Sequence, residues 1–160
     1  MPRSRMFAVA LFLLIFVSGC AKPAPAATSG KLRVVSTVSP ITNIIQNVGG
    51  DRIDVTGIVP EGVNSHTFEP APSDARLLAQ ADIIFVNGLL LEEPTIKLAE
   101  ANKAEGVEIV SLGEQTVTPA EYVFDFSFPK EAGNPNPHLW MNPRYAARYA
   151  ELVAESLAVA

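Results

Sequence analysis

The sequence predicts an α/β fold, an open parallel four-stranded sheet with helices on both faces. Two observations carry this. From residue 32 onward, short β-branched runs alternate with segments of helical periodicity. The run at 82–87 (DIIFVN) is continuously apolar through its middle, as a strand covered on both faces must be. In such sheets, ligands bind beyond the carboxyl ends of the strands.

Taken in order, residues 32–38 (LRVVSTV) form the first strand, Ser39 is placed to N-cap the next helix, and Pro40 suits its first turn. Ile41, Ile44, Ile45 and Val48 recur at helical spacing until Gly49-Gly50 stops them. A second strand is expected over 53–59, then a Pro/Gly/Asn-rich loop over 60–72. Ser73-Asp74 opens a helix through Leu77, Leu78 and Ala81, ahead of the apolar strand at 82–87. A helix from about 94 to 103 and a strand at 107–112 follow. Residues 113–137, with Pro119, Pro129, Pro135 and Pro137, admit two readings. Tyr122, Phe124, Phe126 and Phe128 pack a surface loop, or their alternation marks a short edge strand. The last helix starts cleanly, with Asn142 as N-cap and Pro143 in the first position. Tyr145, Tyr149, Leu152, Val153 and Leu157 form its apolar face. Ala158-Val159-Ala160 supplies no closing signal, so the sequence is expected to be a fragment that stops inside a helix.

The first thirty residues have another character. Arg3 and Arg5 precede an unbroken apolar run over 6–17, too short for the roughly 20 residues that span a bilayer. A basic stub before a short apolar run is the pattern of a secretory signal. It ends in Val17-Ser18-Gly19-Cys20, which resembles a bacterial lipobox and makes Cys20 the expected lipidation site. Residues 1–19 are therefore read as a lipoprotein signal peptide, and 20–31 as the lipidated cysteine and a Pro/Ala/Ser/Gly tether. Residues 32–142 form the α/β lobe, and 143–160 begin a further helix.

Composition narrows the function. The 160 residues carry a net charge of -5, with 12 basic against 17 acidic residues. Without the leader, ten basic residues face 17 acidic ones, a balance of -7. No cationic face for nucleic acid is expected from this. A single cysteine excludes a disulfide framework and a cysteine-built zinc site.

The two histidines both lie in strand-to-helix connections. His66 sits in NSHTFEP (64–70) and His138 in NPHLWMNP (136–143). If both connections run from strand end to helix start, the two rings reach the same edge of the sheet and can share one ion. Glu69 is ambiguous between a helix-entry acid and a carboxylate that holds a histidine ring from behind. Trp140 is read as a packing residue. A metallohydrolase built on His66, His138 and Glu69 lacks the HExxH spacing and an evident third ligand.

HTFEP (66–70) and PHLWMNP (137–143) resemble the two metal-ligand motifs in the N-terminal lobe of cluster A-I solute-binding lipoproteins, which serve zinc and manganese ABC importers. The segment PSDARLLAQADIIFVNGLLLE between them is also similar to that family, and the resemblance covers about 32–160. It implies a two-lobed carrier with a long linking helix and a divalent ion, zinc or manganese, held between the lobes. His66 and His138 match the first two ligands; the other two belong to a second lobe with no counterpart here. It further implies an ABC permease as partner, a lipid-anchored monomer, and a location in the periplasm or on the outer face of the cytoplasmic membrane. The role is transport, not catalysis. The same family allows cell adhesion as a secondary role, and the aromatic segment 122–128 is the feature that hints at it.

Overall fold

The computed structural model describes residues 30–160. The expected signal peptide, Cys20 and all but the end of the tether lie outside the described residues. Four strands, β1 (Leu32–Ser36), β2 (Ile53–Gly57), β3 (Ile83–Val86) and β4 (Ile109–Ser111), form one sheet in the order β2-β1-β3-β4. Every pairing is parallel, with Val34 opposite both Val55 and Ile83, and Ile84 opposite Ile109. Helices α1 (Ser39–Gly49), α2 (Pro72–Gln80), α3 (Glu93–Asn102), α4 (Leu112–Thr116) and α5 (Pro143–Val159) supply the connections.

Alternation along the strands divides the core between two faces. Val34, Ile83, Phe85 and Val110 pack with Ile41 and Ile45 of α1 and Tyr149, Leu152 and Val153 of α5. Val35, Ile84 and Val86 pack on the other face with Leu78 of α2 and Ala99 of α3. Ile41, Ile45, Leu78, Phe85 and Tyr149 are wholly buried. Each such side chain contributes about 1.5–3 kcal/mol of apolar transfer. Helices on both faces are thus what the apolar run at 82–87 required.

Two helix starts differ from expectation. Val38, extended and without a side-chain cap, is the N-cap of α1, so Ser39 lies inside the helix. The backbone turns early because Val38 O already accepts from Ile41 N (3.0 Å) and Thr42 N (3.0 Å). Likewise Ala71, not Ser73, precedes α2. Pro72 takes its first position, and the Asp74 carboxylate accepts from Ala71 N at 2.7 Å. Asn142 does cap α5, its Oδ1 accepting from Arg144 N at 3.0 Å.

Residues 122–128 form a loop, not an edge strand. Reciprocal backbone bonds between Asp125 and Phe128 (2.9 and 3.1 Å) fold the segment back and break the alternation. Tyr122 turns to the core, while Phe126 is fully exposed.

The strand order reverses between β1 and β3, so the switch point lies beyond their carboxyl ends. After β3 the chain takes a strained turn in which Gly88 (φ 78°), Leu89 (φ 53°) and Leu90 (φ 63°) are left-handed in succession. For a leucine this conformation costs roughly 1–2 kcal/mol. Hydrogen bonds hold it: Leu89 N donates to Glu114 Oε1 (2.7 Å) and Asn87 N to Glu92 Oε1 (2.6 Å).

Candidate metal centre

Both histidines arrive at the carboxyl edge of the sheet. His66 lies on the connection from β2 to α2, where Phe68 is wedged among residues of both core faces and anchors the loop. His138 stands at the start of a 3-10 turn, Leu139–Met141, whose Leu139 is buried in the core just ahead of α5. Each follows an asparagine by two residues. Asn64 Oδ1 accepts from His66 N and Asn136 Oδ1 from His138 N, at 3.0 Å in both turns. The same local device thus fixes the backbone at each histidine. The two Nε2 atoms end 3.1 Å apart, although 72 residues separate them in the chain. A zinc ion at its usual distance of about 2.0–2.1 Å from each would see them at an angle of about 100°. That lies between octahedral and tetrahedral ligand angles, so the pair suits zinc and manganese alike.

The surroundings treat the two rings differently. His66 is exposed, whereas His138 is half-buried. Phe128 lies against both rings, with centroids 5.7 Å from His66 and 5.5 Å from His138. The Trp140 and His138 rings meet in a T shape, centroids 5.2 Å apart, and Trp140 also packs on the core. Burial, and then the neighbouring His66, push the His138 pKa below its ordinary 6.5, while Asp125 acts the other way. A half-buried imidazole kept neutral keeps a lone pair for a metal.

Beneath His138 is a buried polar cluster at the switch point. Asn87 Nδ2 donates to Pro137 O, on the residue before His138, at 3.1 Å. Asn87 Oδ1 accepts from the hydroxyl of Tyr149 in α5 at 2.8 Å. Glu92 Oε1 accepts from Thr37 Oγ1 and from Asn87 N, both at 2.6 Å, while Glu92 Oε2 has no partner among the described residues. Burial raises the pKa of Glu92, against those two hydrogen bonds, and also raises that of Tyr149.

The sequence matches the ZnuA family, described as "Zinc-uptake complex component A periplasmic", over residues 34–160. The chain belongs to this family. Similar members include the "Metal ABC transporter substrate-binding lipoprotein FimA" of Streptococcus parasanguinis, 35% identical over 93% of this chain and 49% of that protein. The "Manganese ABC transporter substrate-binding lipoprotein PsaA" of Streptococcus anginosus is 38% identical over 92% of this chain and 48% of its own length. Among solved structures, a cadmium-bound periplasmic metal binding protein from Candidatus Liberibacter asiaticus shares 32% identity and a TM-score of 0.67. The match covers 81% of this chain and 45% of that one. The chain spans about half the length of the curated relatives it matches.

In this ZnuA-family chain the structure brings His66 and His138 together, as their positions in the connections suggested. Glu69 is exposed and forms no hydrogen bond with either ring; the group behind the His138 ring is Asn136, 2.8 Å from Nδ1. Trp140 both packs and touches His138. Among the described residues no third His, Cys, Asp or Glu joins the pair in a cluster able to hold an ion. Asn87, Asp125, Phe128 and Asn136 were not singled out as site residues by sequence reasoning. The repeated Asn-x-His spacing at 64–66 and 136–138 was a readable signal for the last of them. Asp125 and Asn87 reach the site only through the fold.

Proposed function

We propose that this chain is the N-terminal lobe of a metal-carrying binding protein, and that His66 and His138 supply two ligands to one divalent ion, zinc or manganese. The 3.1 Å approach of the two Nε2 atoms carries the reading, because it puts both imidazole nitrogens within reach of a single ion at ordinary metal–nitrogen distances. The names of the relatives support transport as the purpose, and with it delivery to an ABC permease in the periplasm or on the outer face of the cytoplasmic membrane. A carrier fills the metal's coordination shell, whereas a zinc hydrolase leaves one position open for water. The remaining ligands come from a second lobe, joined through α5, whose Tyr149, Leu152 and Val153 are packed in the core of this one. Cys20 carries the lipid anchor, and the carrier works as a monomer.

Calorimetric titration of zinc and of manganese into the chain and into a His66→Ala, His138→Ala double variant tests this. Weak binding is expected from two ligands, and none from the double variant. Equal affinities would overturn the assignment.

A further inference from the structure

The two Asn-x-His turns are built alike, but only one is clamped from behind. Asn136 Oδ1 accepts the backbone N–H of His138 and also lies 2.8 Å from ring Nδ1. The other end of the same amide, Asn136 Nδ2, donates to Asp125 Oδ2 at 2.6 Å. An ionised carboxylate only accepts hydrogen bonds. Asp125 and the His138 N–H together fix the Asn136 amide, its nitrogen toward the carboxylate and its oxygen toward the imidazole. That oxygen also only accepts, so Nδ1 carries the ring proton and Nε2 carries the lone pair.

Asp125 is itself seated. Its Oδ1 accepts from Ser127 N (2.8 Å) and Phe128 N (3.1 Å), which frees Oδ2 for Asn136. Asn136 N donates to Val123 O at 2.8 Å, closing the same loop from the other side. At the other turn, Asn64 Oδ1 accepts from the backbone of His66, and no carboxylate among the described residues bonds its amide.

We propose that Asp125 is a positioning residue of the metal centre. Acting through Asn136, it locks His138 in the tautomer whose Nε2 lone pair faces His66, before any metal arrives. This rests on reading His138 as a ligand. The aromatic loop around residue 125 thereby gains a purpose: it presents a carboxylate to the back of the ligand and a phenyl ring, Phe128, to its side. The 3.1 Å contact between the rings then has His66 Nε2 as donor, and for one ion to bind both rings that proton passes through solvent to His66 Nδ1, leaving a lone pair on each Nε2.

The test is a two-bond proton–nitrogen correlation spectrum of the metal-free chain, labelled with nitrogen-15 in its imidazoles, alongside zinc titrations. Wild-type His138 is expected to show Nδ1 protonated and Nε2 bare. Asp125→Asn supplies a donor in place of the carboxylate and lets the Asn136 amide invert. His138 should then move toward the Nε2–H form, and zinc affinity should fall by about 10- to 100-fold, the usual range for lost support behind a ligand. Asp125 is exposed, so melting of this variant should be unchanged. Exchanging the pair, Asp125→Asn with Asn136→Asp, restores an acceptor behind Nδ1 and should recover both the tautomer and the affinity. A chain that binds zinc with His138 in the Nε2–H form overturns the positioning role alone. So does an Asp125→Asn variant with wild-type spectrum and affinity. A wild type with the expected tautomer and no zinc binding overturns the metal reading instead, and the role of Asp125 with it.

Discussion

The connection that carries His66 leaves β2 with Ile58 and Val59 buried and their N–H groups donating to Ser36 O and Thr37 O, both at 2.8 Å. Beyond Val59 it relies on local turns: Val63 N reaches Pro60 O (3.2 Å), Thr67 N reaches Asn64 O (3.4 Å), and Phe68 packs against the core. The connection that carries His138 is held from three directions. Val123 O ties it to the aromatic loop, Asn87 grips Pro137 from β3, and Leu139 sinks into the core beneath α5. Next to His138 the holds are long-range; next to His66 they are local turns and the Phe68 side chain.

Two glycines with the same left-handed φ of 78° give the largest contrast. At Gly88, under the His138 loop, an added Cβ would collide with the side chains of Glu114 and Ser111; at Gly62, in the His66 loop, it would meet nothing. Gly88→Ala is expected to cost about 3 kcal/mol or more, from strain and overpacking together. Gly62→Ala should cost only about 1 kcal/mol, for the backbone alone. Urea unfolding of the two variants measures this, and similar losses would mean that the loops are equally constrained.

The asparagines come next. Asn87→Ala removes the donor to Pro137 and leaves the Tyr149 hydroxyl buried without its acceptor. A loss of about 2–4 kcal/mol is expected, since each orphaned buried group costs about 1–3 kcal/mol. Asn64→Ala removes one exposed bond and should cost under about 1 kcal/mol in the same assay.

Acidity provides the smallest effect. Because the His138 pKa is lowered in the folded chain, the unfolded chain binds more protons between that value and 6.5. Stability therefore rises with pH through this window and is lost on acidification below 6.5. Melting temperatures of wild type and His138→Gln between pH 7 and 5 should diverge in that sense, the variant losing less. Phe128→Ala, which uncovers the ring, should bring the His138 titration seen by NMR back toward 6.5.

The fold was legible because burial on both sheet faces leaves continuous apolar strands and periodic helices, which are local patterns. Helix starts were legible where a side chain does the capping, as at Asn142. They were misplaced where the backbone or a carboxylate further along does it, as at Val38 and Ala71. The histidines could be nominated from the connections they occupy, but composition alone never distinguished them from solvated loop residues; the resemblance of the two motifs did that. Asp125 and Asn87 were illegible for a physical reason. Asp125 reaches the site through a residue 11 positions away and Asn87 through one 50 positions away, and such contacts leave no periodicity behind. The alternating aromatics at 122–128 left loop and edge strand undecided, because alternation alone does not reveal the tight turn at Asp125 that folds the segment back.

Asn87 has one further consequence. A single carboxamide grasps the α5 tyrosine with its oxygen and the ligand loop with its nitrogen. The placement of α5 and that of the backbone beside His138 therefore depend on one side chain. The longest helix among the described residues and the loop that carries His138 are set together, so a change at Asn87 reaches both.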